Sequence, residues 1–136
     1  MKVRQITFIE WNNLEKPDIA DSVATEKDIC YKIGNYYLHC ETYKDVNNLV
    51  CFLTPVMKPN IKNCLKALYR FCYIIATEHN IKYAKVKGRP GKYGFLKRVF
   101  ADDVFCEKEL IDGEQVLYVH FSEKAIEKLK ALSEDE

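Results

Sequence analysis

Residues Leu49 to Lys87 read LVCFLTPVMKPNIKNCLKALYRFCYIIATEHNIKYAKVK. The apolar run at the start is typical of a buried strand, and a turn bracketed by prolines follows it. Apolar residues then recur at spacings of three and four, which predicts a helix with one buried stripe. The stripe consists of Ile61, Leu65, Leu68, Cys72 and Ile75. Residues 81–86 predict a second strand after a break at Asn80, and a strand, helix and strand in this order form a βαβ unit with parallel strands.

The same part of the chain carries most of its positive charge. Between Thr54 and Arg98 there are eleven basic residues and one acidic residue, Glu78, for a net charge of +10. The remainder has 10 basic and 19 acidic residues, for a net charge of −9. The basic residues are Lys58, Lys62, Lys66, Arg70, Lys82, Lys85, Lys87, Arg89, Lys92, Lys97 and Arg98. Lysines at the start of the predicted helix oppose its dipole, so either an anionic partner binds there or the face is simply solvated.

Length and composition indicate one folded domain. The chain has 136 residues, enough for a single core, and we expect a domain over residues 1–132 followed by an acidic tail at 133–136. Apolar residues make up 48% and charged residues 30%, as in ordinary soluble domains. We expect no membrane span, because no apolar run reaches about 18 residues. The first residues do not resemble a signal peptide.

The cysteines and histidines do not predict a disulfide framework or a metal site. The six cysteines contain no Cys-x-x-Cys pair, and the three histidines show no metal-ligand spacing with them. We therefore expect reduced, buried thiols, no metal, and a location in the cytoplasm.

The other elements follow from local patterns. We expect a strand at 3–9, a short helix at 17–24, a hairpin at 29–41 that turns at Gly34-Asn35, and a short helix at 93–100. A second hairpin joins strands 104–110 and 114–121 around Asp112-Gly113, and Ser122 caps a terminal helix. The predicted fold class is α+β: a mixed, mostly antiparallel sheet with a central βαβ unit, a short helix, a closing hairpin and a C-terminal helix.

This order of elements resembles the GNAT-type acyltransferase fold, in which a meander leads into strand, long helix, strand, short helix and closing hairpin. The residues most similar to the family lie between Lys82 and Phe121, where Tyr93-Gly94-Phe95-Leu96-Lys97-Arg98-Val99-Phe100 precedes a strand and an Asp-Gly hairpin. In that part the chain looks like small phage proteins of this fold, such as the small internal virion protein of short-tailed coliphages.

The resemblance implies a cofactor site that the chain matches incompletely. Family members bind acyl-CoA along the strand before the long helix and hold its pyrophosphate in a glycine-bearing turn. The corresponding turn, residues 57–63, has no glycine, and Pro59 lacks an N–H donor. We therefore expect no cofactor. If acetyl-CoA binds after all, the positions carried over from the family are Val56, Met57, Lys58, Asn60, Lys62 and Asn63.

The chain also matches the catalytic residues of the family incompletely. The family's tyrosine general acid has no counterpart at its expected place, although Tyr93 supplies a hydroxyl nearby. His39 and Glu41 share one face of a strand at a spacing of two, an arrangement that can polarise a water or an amine. The alternative is that both are simply solvent-exposed.

We expect a phage-type, GNAT-like protein with degenerate acyltransferase motifs, located in the host cytoplasm or in a virion. It would bind a protein partner (a virion component or a host factor) or a second copy of itself through one basic patch. That patch comprises Lys58, Lys62, Lys66, Lys87, Arg89 and Lys92. The alternatives are an active acetyl-CoA-dependent N-acetyltransferase and a nucleic-acid-binding protein, in which Tyr69, Tyr73, Tyr83 and Tyr93 would stack on bases between the cations.

Overall fold

A computed structural model describes residues 1–15, 23–42, 47–53, 61–87, 106–111 and 114–134. The helices are α1 (Phe8–Asn13), α2 (Ile61–Thr77) and α3 (Glu123–Ser133). The strands are β1 (Val3–Ile6), β2 (Ile29–Ile33), β3 (Tyr36–Thr42), β4 (Asn47–Leu53), β5 (Tyr83–Lys87), β6 (Cys106–Ile111) and β7 (Glu114–His120).

The described strands form one mixed sheet in the order β1-β2-β3-β4-β5-β7-β6. Neighbouring strands are antiparallel, except that β4 and β5 are parallel and are connected through α2. The predicted βαβ unit and the α+β class are therefore confirmed. The two hairpins, β2–β3 and β6–β7, are also present as predicted.

Two local features set the bounds of these elements. Gly34 has a φ of 59°, which a residue without a Cβ adopts at little cost, and it turns the β2–β3 hairpin. Asn80 follows the end of α2 and has a φ of 56°. Beside it, the Ile81 N–H donates to the Ile75 carbonyl at 3.0 Å, as in a helix C-cap. Asparagine tolerates this left-handed conformation better than most side chains.

The N-terminal part differs from the prediction. The expected strand at 3–9 ends at Ile6, because Thr7 caps a helix: its Oγ1 accepts a hydrogen bond from the Glu10 N–H at 3.0 Å. The expected helix at 17–24 falls mostly outside the described residues, and Val23 and Ala24 are not helical. The expected helix at 93–100 also lies outside the described part of the chain.

The main core lies between the sheet and the α2–α3 pair. The buried stripe of α2 is wider than predicted. Ala67, Phe71 and Ile74 are buried beside the predicted Leu68, Cys72 and Ile75. Ser122 caps α3 as predicted, with its Oγ accepting from the Ala125 N–H at 3.2 Å, and Ala125 and Leu129 pack into this core.

A smaller core covers the opposite face of β1, β2 and β3. Trp11 of α1 is fully buried there against Ile6, Ala24 and Cys30. Trp11 therefore anchors the N-terminal segment to the body of the protein. The sheet is therefore covered on both faces at its β1–β3 end, and this arrangement encloses the first group of candidate residues.

Candidate functional site

Asp28 and His39 form an enclosed polar pair in the described part of the chain. His39 lies in the middle of β3 and is fully buried, and the Asp28 side chain is only 6% exposed. The His39 Nε2 lies 3.0 Å from the Asp28 Oδ2. Because an ionised carboxylate can only accept, Nε2 carries the proton in this contact.

Asp28 is held in its ionised form by several donors. Burial by itself raises the pKa of a carboxyl group, but the backbone N–H groups of Thr42 and Thr25 and the ring of His39 outweigh that effect, and the pKa of Asp28 is lowered. Thr42 donates at 3.0 Å to Oδ1, and Thr25 donates at 2.9 Å to Oδ2. These are charge-assisted hydrogen bonds, which are stronger than those between neutral groups.

The same group joins three separate parts of the chain. Asp28 precedes β2, His39 and Thr42 belong to β3, and the ring of Trp11 lies against His39 with centroids 4.8 Å apart. The Asn12 side chain adds a reciprocal pair with Ala24, accepting from its N–H at 2.8 Å and donating to its carbonyl at 3.0 Å. This network fixes α1 and residues 23–28 over the outer face of β2 and β3.

A histidine hydrogen-bonded to a carboxylate has the composition of a general base and its orienting acid. Catalysis also requires that a substrate reach the ring, and no surface of His39 is exposed. The expected alternative of a solvent-exposed histidine is therefore wrong, because α1 covers this position. The pair is a buried polar clamp in the fold.

Of the other two catalytic candidates, the structure describes only Glu41. Glu41 is half-buried near the end of β3, in register with Asn48 of β4. Tyr93 lies outside the described residues. The grouping of these three residues into one site therefore stays a prediction.

A second polar pair ties the end of α2 to the sheet. The Tyr31 hydroxyl of β2 lies 3.1 Å from the His79 Nε2, and the two rings meet edge to face at 5.9 Å. Burial, and then the charge of Glu78, raise the pKa of Tyr31, so its hydroxyl stays protonated at neutral pH. The contact ties the half-buried His79 to Tyr31 of the main core.

The junction of β4 and β5 is where the family resemblance places a cofactor. Their described pairing is a single register position, Asn48 with Lys85, whereas β3 and β4 pair along the whole of β4. Of the carried-over positions, Lys62 and Asn63 lie in the first turn of α2, and Asn63 is exposed. Val56, Met57, Lys58 and Asn60 lie outside the described residues.

The basic patch is described only in part. Lys62 and Lys66 lie on α2, where Lys66 is half-buried, and Lys87 is the last residue of β5. Lys58, Arg89 and Lys92 lie outside the described residues, so the continuity of the patch stays a prediction.

The tyrosines expected to stack on bases occupy different environments. Tyr69 and Tyr73 are partly buried and pack against the main core, whereas Tyr83 is 58% exposed. Tyr93 again falls outside the described part. Only Tyr83 therefore has the exposure that a stacking surface needs among the three described rings.

Within the described ranges, no group of His, Cys, Asp and Glu side chains is arranged to hold a metal ion. Cys30, Cys40 and Cys72 are buried free thiols, and burial, followed by the nearby charge of Asp28, raises the pKa of Cys40 to about 12. None of the described helices is long and apolar enough to cross a membrane.

Sequence reasoning missed Asp28 although a signal was present. Thr25 and Asp28 are three residues apart, and they close a turn in which the Asp28 N–H donates to the Thr25 carbonyl at 3.0 Å. That spacing identifies a turn, but not the histidine that it meets on another strand.

No family model, no curated protein and no solved structure matches the chain. Fold and site together define the class as a mixed α+β protein with a buried Asp–His clamp.

Proposed function

We propose that this chain is a GNAT-like protein that has no acyl-transfer activity and that binds a protein partner through its basic segment. The partner would be a virion component or a host factor, as the resemblance to small phage proteins implies. The fold part of the proposal is supported by the order of elements: a meander, a strand, the long helix α2, a parallel strand and a closing hairpin.

The observation that carries the non-enzymatic part is the enclosure of His39. The ring is fully buried and its Nε2 is engaged by Asp28, so an amine substrate has no path to it without opening of the clamp. The turn that would hold the pyrophosphate also lacks glycine. A binding role needs neither feature.

The binding part rests on charge. The segment from Thr54 to Arg98 carries +10 against −9 elsewhere, which favours fast association with an acidic surface. We expect a fluorescent poly-L-glutamate probe to bind the protein at low salt. The double variant Lys62→Glu and Arg89→Glu should bind it more slowly and about tenfold more weakly, with an almost unchanged melting temperature, because exposed ion pairs contribute little to stability.

One variant serves as the control for this experiment. Lys124→Glu makes the same kind of charge change at an exposed position on α3 and should leave probe binding nearly unaffected. If the double variant unfolds, the patch is structural; if it binds the probe as well as the parent does, the basic segment is not the binding surface. Either result overturns the proposal.

The active acetyltransferase is the second candidate, and a specific observation favours it over nucleic-acid binding. One register position, Asn48 with Lys85, is described between β4 and β5, and acyl-CoA pairs with the strand corresponding to β4 in the family. Acetyl-CoA binding separates this candidate from the first. Nucleic-acid binding would instead show as affinity for a single-stranded oligonucleotide that falls by roughly 0.7 to 0.9 log units per phosphate contact per decade of salt.

A further inference from the structure

The thiol of Cys30 lies beside the Asp28–His39 clamp. Cys30 of β2 is in register with His39 of β3, and directly opposite residues of two strands point to the same face of the sheet. That face is the one under α1, because Cys30 packs in the small core with Trp11 and the ring of Trp11 lies against His39. Cys30 is 1% exposed and is not in a disulfide. A cysteine, a histidine and an aspartate are therefore grouped under one helix.

The backbone pairing places the thiol close to the imidazole ring. The Gly34 N–H donates to the Lys2 carbonyl at 2.8 Å, on the β1 side of the hairpin. Alternate residues of a strand direct their backbone groups to the same neighbour, so Cys30 also directs its N–H and C=O toward β1. Cys30 and His39 are consequently a non-hydrogen-bonded pair, in which the Cα atoms are about 4.5 Å apart and the side chains approach most closely.

The tautomer of His39 suits it to accept a proton from this thiol. Its Nε2 carries the proton that is shared with Asp28, which makes Nδ1 the acceptor of the ring. If Nδ1 takes the proton of Cys30, the charge of Asp28 stabilises the imidazolium that forms. The three side chains have the composition of a cysteine nucleophile, its base and the acid that orients the base.

This group is built on the sheet and not on α1. Asp28 accepts from Thr25 of its own turn and from Thr42 and His39 of β3. The other face of β2 and β3 packs against α2 in the main core, which holds the register of the two strands. The group can therefore persist if α1 moves away.

The helix α1 is a small cover. It has six residues, fewer than the roughly 12 to 15 that an isolated helix needs to be stable in water. It is held down by the buried Trp11 and by the two hydrogen bonds between Asn12 and Ala24. Elements with so few tertiary attachments open locally at a lower free-energy cost than the whole domain unfolds.

We propose that Cys30 is a modification site for low-molecular-weight disulfides, which reach it when α1 opens, and that His39 is its base. The thiol passes its proton to His39 Nδ1, and the thiolate attacks one sulfur of the reagent. The S–S bond of the reagent breaks as a new S–S bond to Cys30 forms, and the second sulfur leaves as a thiolate that takes up the proton. Cys30 is oxidised and the leaving sulfur is reduced, so no further reactant is needed. The inference does not depend on the proposed binding function.

The chemistry favours a disulfide over an acyl donor. Acyl transfer to a thiol also needs preorganised donors for the oxyanion that develops, whereas exchange needs only a thiolate and a proton acceptor. Because Cys30 is almost fully enclosed under α1, an adduct on its sulfur holds that helix open. Trp11, the only tryptophan of the chain, then becomes exposed. Excess free thiol removes the adduct and allows α1 to close again.

The rate of modification by glutathione disulfide tests the proposal on the full chain. Samples are quenched with acid at intervals, and the modified peptides are measured by mass spectrometry. Cys30 should react at least about tenfold faster than Cys40 and Cys72, which lie in the main core under α2 and need a larger opening. Cys40 is the internal control, because it follows His39 in β3 but points to the other face. The Trp11 emission should shift to longer wavelength at the rate of the Cys30 modification.

A pair of α1 variants tests whether this helix is the cover. Asn12→Ala deletes both hydrogen bonds to Ala24 and should accelerate the modification of Cys30 about tenfold, without an effect on Cys40. Asn13→Ala removes an exposed amide from the end of the same helix and is the matched control. It should leave the rate nearly unchanged.

The pH profile tests the role of His39. His39→Gln can still direct an N–H toward Asp28 but cannot take up a proton. Easier opening would raise the rate equally at every pH, so the slope of the profile reports the base alone. The parent rate should level off below the ordinary thiol pKa of about 8.5, whereas the variant rate should rise about tenfold per pH unit up to that value. The other ionisable groups on this face and on α1 are unchanged between the two proteins: Asp28, Lys32, Tyr37, Glu41, Arg4 and Glu10.

Three results would overturn the proposal. If Cys30 reacts no faster than Cys40 and Cys72, it is reached only by global unfolding. If Asn12→Ala reacts like Asn13→Ala, α1 is not the cover. If parent and His39→Gln have the same pH profile, His39 is not the base. The first two comparisons hold even if the His39 variant does not fold.

Discussion

Replacing Asp28 by asparagine removes one charge from the buried clamp and keeps its shape. The two carboxylate oxygens accept from Thr25, Thr42 and His39 at 2.9 to 3.0 Å. In an asparagine one of these oxygens is replaced by an NH2 group. That group is a donor and faces the donors of Thr25, Thr42 or His39, so at least one hydrogen bond is lost. Hydrogen bonds to charged groups contribute about 1.5 to 3 kcal/mol, so the expected loss of stability at neutral pH is roughly 2 to 3 kcal/mol. For a chain of this length this corresponds to a lower melting temperature by roughly 6 to 12 °C.

The effect should depend on pH in a defined direction. The pKa of Asp28 is lowered in the folded protein, so its contribution is present above the unfolded value of about 3.9 and is lost as the pH falls through the folded pKa. The difference in unfolding free energy between the parent and Asp28→Asn should therefore shrink as the pH falls below about 5. Urea unfolding followed by circular dichroism measures it across this range.

Glu26→Gln is the matched control for this experiment. It removes the same charge from an exposed position in the same turn and should change stability by less than about 0.5 kcal/mol. If Asp28→Asn is as stable as the control at pH 7, or if its deficit stays constant down to pH 2, the carboxylate does not hold the clamp together.

Substitutions at three further positions test local contacts elsewhere in the fold. Tyr31→Phe should lower the unfolding free energy by about 1 kcal/mol, because it deletes the hydroxyl that meets His79; an unchanged urea midpoint would contradict that contact. Asn80→Gly should be neutral or stabilising and Asn80→Val destabilising by about 1 to 2 kcal/mol, since φ is positive there; equal melting temperatures would contradict the left-handed conformation. Ser122→Ala should cost about 1 kcal/mol through loss of the α3 cap, whereas Ser122→Asp should keep that stability in the same thermal scan.

Local patterns were sufficient for much of the fold. The stripe in α2, the Gly34 turn and the Ser122 cap each depend on residues a few positions apart, and the structure confirms them. The helix α1 was missed because six residues are too short for a clear period. Thr7 and Glu10 nevertheless have the three-residue spacing of a capping box, which was the available signal.

The clamp could not be predicted from the sequence in the same way. Asp28 and His39 are brought together by the antiparallel register of β2 and β3, and α1 then covers them from the other side. A polar residue alternating with Leu38 and Cys40 has the pattern of a strand with one solvated face. Only the tertiary packing of Trp11 shows that this position is buried.

The central claim, a GNAT-like fold that does not use acyl-CoA, is tested most directly by thermal unfolding with acetyl-CoA. A ligand present at 100 times its dissociation constant stabilises the folded state by about 2.7 kcal/mol, which raises the melting temperature of a chain of this size by roughly 8 to 11 °C. The proposed function predicts no shift at millimolar acetyl-CoA for the parent protein. A concentration-dependent rise of that size, absent with free adenosine diphosphate, would contradict it and establish the acetyltransferase alternative.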